Sequence, residues 1–270
     1  MTSGPIAPGM QIWDAPAETL FDNLIYSQTS KFGGHILSTA SPSLEDVFEQ
    51  CCDMDASLAE RLATFAEAVR TQRPAFGDAV ERLVRRLRES GAGEAAPKPG
   101  DSMPPFVLPD ETGQLVSLED LLRQGPVAVT FHRGHWCPYC RISINALAKV
   151  HDVIVGDGAQ IVAIIPERQQ YATEFKINGR IPFPVLMDMD NGYAMSLNLV
   201  FWMGEEMKEF MRQRPGRDIA KFQGNESWML PIPATFVVGR SGRISARFVD
   251  PDYRKRMTID DLVAALRSAT

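Results

Sequence analysis

Four cysteines and four histidines are all this 270-residue chain has of the side chains that most often exchange electrons or hold transition metals. So few cysteines do not make a disulfide-stapled scaffold. The fold rests on a hydrophobic core, and with 44% apolar residues the chain can bury one core and carry an extension beside it. No apolar run approaches the roughly 20 residues of a membrane span, so a membrane is not an expected partner. No basic tract is interleaved with aromatics, and a net charge of −6 is spread over residues of both signs, so nucleic acid is not expected either. The opening "MTSGPIAPGMQIWDAPAE" has no basic segment followed by an apolar one, so no secretory leader is expected and a cytoplasmic location is the default. Internal repeats are absent. In a reducing compartment a C-x-x-C pair points to redox chemistry or metal binding rather than to a staple.

Residues 1–42 are weakly patterned, with a short helix over "ETLFDNLIYSQ" and a loop over "TSKFGGHILSTASPS". Residues 43–90 read as a helical extension. "SLEDVFEQCCDMDASLAERLATFAEAVRTQ" keeps apolar residues at helical spacing after a cap at Ser43, and a second amphipathic helix follows Pro74. Residues 91–100, rich in Gly, Pro and Ala, read as a linker. From 101 to 270 strands and helices alternate. "GPVAVTFHR", "AQIVAIIP" and "FPVLMD" read as strands, "CPYCRISINALAKVHDVI" and "ERQQYATEFKING" as helices, and "PATFVVGRSGRISARFVD" as a hairpin before a capped terminal helix. A polar insertion runs to about Glu226. The expected class is α/β, a mixed central sheet with helices on both faces.

The stretch "TFHRGHWCPYCRISINAL" concentrates the chemistry, with Cys137 at a helix start and Cys140 one turn in. Pro138 fits the first helical turn, where a missing amide donor costs nothing. A free thiol is only about 3% ionised at neutral pH, and each unit by which its pKa falls takes about 1.4 kcal/mol of preference for the anion. A helix N-terminus contributes about 0.3–1 kcal/mol, and up to ~2 when partly buried. Arg133 and the Cys140 thiol are the candidate sources of the rest, although Arg133 reads equally well as a solvated loop charge. Cys137 is expected to be exposed and Cys140 shielded, placed to attack an oxidised Cys137. His132 and His135 complete a His-x-x-His-x-Cys-x-x-Cys series, but a strand would set the two histidines on opposite faces, so no metal site is expected. No cofactor is expected. Trp136 reads as a wall beside the sulfur, the alternative being a core aromatic.

Together with "PDETGQLVSLEDLL", "KFQGNESWMLPIPATFVVGRSGRI" and "ARFVDPDYRKR", the stretch "VTFHRGHWCPYC" makes Pro97–Thr270 resemble the peroxiredoxin-like branch of the alkyl hydroperoxide reductase/thiol-specific antioxidant family, on a thioredoxin-like fold. Three departures go with it. The family's Pro-x-x-x-Thr/Ser-x-x-Cys is missing, since Thr130 lies seven residues before Cys137 and Gly134 three before. "CPYC" is the glutaredoxin tetrapeptide. Pro233 stands where peroxiredoxins have an arginine, as the sulfur-facing cis proline of thioredoxins does. That last likeness implies a substrate backbone pairing with the amide and carbonyl of Ile232, with Trp136, Pro138 and Pro233 beside it; a strand-edge proline is the alternative. Thr235 is a further neighbour in the same strand.

The resemblance implies an antioxidant oxidoreductase that reduces hydrogen peroxide or organic hydroperoxides. Cys137, Cys140 and Arg133 would do the chemistry, and a thioredoxin- or glutathione-type reductant would reopen the disulfide. Thiol–disulfide exchange on protein or glutathione disulfides is the alternative, and a non-enzymatic metal-binding or interaction module the third. A homodimer is left open. Cys51-Cys52 reads as helix packing rather than a second redox pair. The Met-rich "FWMGEEMKEFMRQRPG" reads as packing, with a substrate-facing apolar surface as the less favoured option.

Overall fold

Two serines start the first helices. Ser43 Oγ accepts from the Asp46 amide while Asp46 takes the Ser43 amide at 2.8 Å, and this reciprocal box opens α1 (Leu44–Asp53). Ser57 and Glu60 repeat it at the head of α2 (Leu58–Gln72). The continuous helical run read across these residues is therefore two helices, broken over 54–57. The Ser-x-x-Glu at Ser57 outweighs an apolar spacing that passes through the break. α3 (Pro74–Glu89) begins on Pro74, whose missing N–H falls where no intrahelical acceptor exists. The computed structural model describes residues 41–214 and 216–269, so the helix and most of the loop read before Ser41 lie outside it.

A five-stranded sheet in the order β5-β4-β3-β8-β9 forms the centre. β3 (Val127–Phe131), β4 (Gln160–Ile165) and β5 (Val185–Met187) run parallel, while β8 (Ala234–Val238) is antiparallel to both β3 and β9 (Ile244–Val249). All five residues of β3 are buried, as its unbroken apolar run requires for a strand covered on both faces. β3 feeds directly into α5 (Pro138–Gly156), so the loop between them sits at the end of the central strand. Around this sheet lie the hairpin β1 (Val107–Pro109) and β2 (Leu115–Ser117), with α4 (Leu118–Gln124), α6 (Gln169–Gly179), α7 (Gly192–Ser196) and the C-terminal α10 (Ile259–Ser268). The polar insertion is itself structured. It holds β6 (Val200–Trp202), α8 (Glu205–Arg212) and α9 (Ile219–Gln223), and β6 pairs with β7 (Met229–Pro231).

The N-terminal helices share their core with the sheet. Phe48, Leu62, Phe65, Val80 and Leu83 are buried in one cluster with Phe131, Ile142 and Phe236. Each such side chain withdrawn from water contributes about 1.5–3 kcal/mol. Arg61, buried in α2, draws α1 and α5 together through Cys51 O (2.5 Å), Cys52 O (2.9 Å) and Asn145 Oδ1 (2.6 Å). Cys51 packs fully buried below this clamp. Residues 91–100, composed like a linker, are tied down: Arg247 of β9 donates to Ala96 O at 2.6 Å and Pro97 O at 3.0 Å, and the Gly100 amide donates to Ile244 O. No described helix is long and apolar enough to cross a membrane.

Candidate active site

Cys137 is the N-cap of α5, with an extended backbone and Pro138 at the first helical position. The Arg133 Nη2 donates to its sulfur at 3.2 Å. The guanidinium carbon lies over the Tyr253 ring, 3.5 Å from its centre, and over the Trp136 ring, 5.1 Å from its centre. Arg133 is thus a buried partner of the thiol, and the solvated-charge reading falls. Cys140, one turn on, accepts from the Arg133 backbone amide at 3.3 Å and from Arg256 Nη2 at 3.5 Å.

Both sulfurs are buried, which corrects the expectation of an exposed Cys137. The cause is tertiary. α2 lays Phe65 against Tyr139 (5.2 Å), Tyr139 meets Tyr253 (5.4 Å), and Trp136 folds over the loop. Burial pushes the Cys137 thiol up. The Cys140 thiol donating to it, the Arg133 charge and hydrogen bond, and Arg256 together pull it well below the ordinary cysteine value. Cys140 moves the other way: burial raises it, and giving its proton to the anionic Cys137 raises it further. The pair divides into a thiolate and a proton-holding thiol, the division of labour that nucleophile and resolving cysteine need.

The loop is held by a group with no motif to announce it. Glu167, buried after β4, takes the His135 amide at 2.8 Å and its Nδ1 at 2.9 Å. Burial raises this carboxyl, partly offset by His135. The His135 ring stacks on Tyr171 at 5.1 Å. Gly134 (φ +132°) passes so close that a Cβ would sit 2.6 Å from the Glu167 carboxyl. The two histidines separate here. His132 donates from Nε2 to Thr130 Oγ1 (3.0 Å), whose own hydroxyl is committed to Val162 O (2.9 Å). Burial and the nearby Arg256 lower His132 to about 3, leaving it a neutral core residue. Among the described residues no group of three or more His, Cys, Asp or Glu side chains is placed to hold a metal ion.

Pro233 is buried between β7 and β8, next to Ala234, which pairs with Phe131 at the loop end of β3. Thr235 faces Thr130 across the same pair. The Ile232 amide is not available to a substrate. It donates to Leu199 O at 2.6 Å, where the structured insertion runs alongside. The binding role read for that amide is therefore corrected. A cavity of about 300 Å³ opens above the cysteine loop, with Trp136, Pro138 and Tyr139 in its lining beside Met203, Met207 and Met211. Met203, Met207 and Met211 are buried in the core, as the packing reading has it, and they also border this cavity. Tyr253 and Arg256 belong to "DPDYRKR", legible as a matching segment but not as sulfur neighbours.

The AhpC/TSA family model matches residues 99–247, more than half of the chain. The chain belongs to the AhpC/TSA family. Its thioredoxin-like fold is shared with peroxidoxin BcpB from Mycobacterium tuberculosis, with a TM-score of 0.50 and 21% identity over 64% of this chain and 99% of that one. A peroxiredoxin 6 variant of Arenicola marina aligns with TM-score 0.50 and 14% identity, covering 63% of this chain and 72% of that one. In sequence, this AhpC/TSA protein is 31% identical over 100 residues to the thiol-disulfide oxidoreductase ResA of Bacillus subtilis. That match spans 37% of this chain and 55% of the relative, so it covers about half of ResA's length. α1, α2 and α3, which all contribute to the cysteine pocket, lie wholly outside the matched residues.

Proposed function

We propose that this AhpC/TSA protein reduces hydroperoxides through Cys137, with Cys140 resolving the oxidised sulfur as an intramolecular disulfide. The observation that carries the reading is the Cys137 sulfur, fully buried yet bonded to the Arg133 guanidinium at 3.2 Å. A small hydroperoxide reaches such a sulfur by side-chain movement, whereas a protein disulfide would need the backbone to open. The committed Ile232 amide supports the same preference, because an extended protein substrate would lose a main-chain partner there.

In the first step the Cys137 thiolate attacks the terminal peroxide oxygen. The S–O bond forms, the O–O bond breaks, and the leaving alkoxide or hydroxide takes a proton from water, giving a sulfenic acid and an alcohol or water. Arg133 stabilises the negative charge as it passes from sulfur to leaving oxygen. Cys140 then attacks the oxidised sulfur. The S–S bond forms, the S–O bond breaks, and the Cys140 proton leaves with the hydroxide as water. A thioredoxin- or glutathione-type thiol returns two electrons, in keeping with a cytoplasmic setting.

Stopped-flow mixing of the reduced chain with hydrogen peroxide, read by the emission of Trp136 beside the sulfur, tests the proposal. In a Cys140→Ser variant, which cannot close the disulfide, sulfenic-acid trapping should label Cys137. Oxidation no faster than that of free cysteine overturns it. The "CPYC" dithiol favours exchange with a small disulfide as a second reading; rapid reduction of glutathione disulfide together with slow peroxide oxidation would move the assignment there.

A further inference from the structure

Reduction of a hydroperoxide leaves an oxygen that must gain a proton, and the loop before Cys137 has no group free to give one. Residues 132–137 carry no hydroxyl, and the Thr130 hydroxyl is committed to Val162 O at 2.9 Å. Arg133 bonds the Cys137 sulfur, but a guanidinium does not release its proton in a protein. His132 is a neutral core residue bonded to Thr130. His135 is engaged by Glu167 through Nδ1 and does not border the cavity above the cysteine loop. The donor has to come from another part of the chain.

Among the described residues, Ser43, Tyr139 and Tyr253 bring hydroxyls to the lining of that cavity. Ser43 Oγ is spent on the cap of α1, where it donates to Asp46 at 2.7 Å. Neither tyrosine hydroxyl has a hydrogen-bond partner among the described residues, and a hydroxyl so enclosed is costly to leave unpaired. Tyr139 meets Phe65 and Tyr253 edge-on. Tyr253, 2% exposed, is the one against the charge at the sulfur, with its ring centre 3.5 Å from the Arg133 guanidinium carbon.

Electrostatics give this tyrosine a timing. Burial pushes its phenol up, Arg133 pulls it down, and the Cys137 thiolate pushes it up again. When the sulfur bonds oxygen its charge is lost, so the thiolate's push ends while the pull of Arg133 remains. Tyr253 becomes a stronger acid at the moment the leaving oxygen needs a proton. Its phenolate also gives the buried Arg133 an anion to replace the thiolate.

We infer that Tyr253 is a catalytic acid of the peroxide step, giving its hydroxyl proton to the leaving oxygen beside Arg133. This rests on the peroxidase reading and names the residue through which the proton passes. The Cys137 sulfur bonds the terminal oxygen, the O–O bond breaks, and the leaving alkoxide takes the Tyr253 proton and departs as the alcohol. The phenolate then regains a proton from solvent water, so the overall balance is unchanged. Tyr253 lies outside the family-matched residues 99–247, so this role is no part of that match.

The test uses the reduced full chain and a Tyr253→Phe variant, which keeps the ring on Arg133 and removes only the hydroxyl. Second-order rates of Cys137 oxidation are compared for two oxidants. With tert-butyl hydroperoxide the leaving alkoxide must be protonated; with peracetic acid the leaving acetate is stable as an anion. A general acid contributes about 10²- to 10⁴-fold, so the variant should lose at least about 100-fold with tert-butyl hydroperoxide. With peracetic acid its rate should stay close to that of wild type, which also shows the variant to be folded. Equal slowing with both oxidants makes Tyr253 a packing partner of Arg133, and no slowing with either makes its hydroxyl idle. Both results overturn this inference and leave the peroxidase reading standing. If hydrogen peroxide and tert-butyl hydroperoxide oxidise the wild type no faster than free cysteine, the peroxidase reading fails and this inference falls with it.

Discussion

The Arg133 guanidinium and the Cys137 sulfur meet at 3.2 Å inside the protein, and the same guanidinium lies 3.5 Å from the centre of the Tyr253 ring. Neither group is exposed. A buried cation beside a buried thiol makes the anion the stable form of that thiol, and it fixes where the anion points.

Arg133→Gln keeps a donor of similar reach and removes the charge. A hydrogen bond to a charged group is worth about 1.5–3 kcal/mol. Peroxide oxidation of Cys137 should therefore slow by roughly 10- to 100-fold. The thiolate titration, followed by its ultraviolet absorbance, should move up towards the ordinary cysteine range. The sign follows from the depressed value in the native chain: the wild-type thiolate persists at neutral pH and is lost only as pH falls through that lowered value, while the variant already loses it near neutrality. An unmoved titration would remove Arg133 from the mechanism.

Arg256 touches the other sulfur, at 3.5 Å from Cys140. Burial and the neighbouring Cys137 thiolate hold Cys140 well above its ordinary value, and Arg256 works against them. Arg256→Gln should lengthen the life of the sulfenic acid more than it slows its formation. Sequential stopped-flow separates the two steps. Equal slowing of both would place Arg256 in general packing instead.

Gly134→Ala sets a Cβ 2.6 Å from a buried carboxyl and 2.8 Å from Trp136 Nε1, at a φ of +132°. Left-handed strain alone costs about 1–3 kcal/mol. Thermal unfolding should shift down by about 2–4 °C for each kcal/mol lost in a domain of this size. Unchanged melting would show the loop to be freer than this packing allows.

Glu167 couples stability to pH. Its carboxyl is raised by burial, so the folded chain holds this proton when the unfolded chain has released it. The contribution is fully present below the unfolded carboxylate value, about 4.3, and is lost as pH rises through the raised folded value. Denaturant melts of wild type and Glu167→Gln across this window should diverge in slope, with the variant flatter. Parallel curves would mean that the carboxyl titrates as it does in water.

The dithiol and the helix that carries it were legible as letters. C-x-x-C after an apolar strand, with a proline at the next position, needs only helix geometry and thiol chemistry to be read. Alternating strands and helices likewise sufficed for the α/β class, because a strand covered on both faces must be apolar throughout. What local pattern could not carry is distance across the chain. Whether Arg133 is a solvated charge or a sulfur ligand depends on Tyr253, 120 positions later, packing on it. The burial of Cys137 depends on Phe65 arriving from α2, and the loss of the Ile232 amide on Leu199 arriving from the insertion. The sequence by itself determined which atoms can react. Only the tertiary structure decided how they are charged and what can reach them, because desolvation and Coulomb interactions act between neighbours in space, whatever their order along the chain.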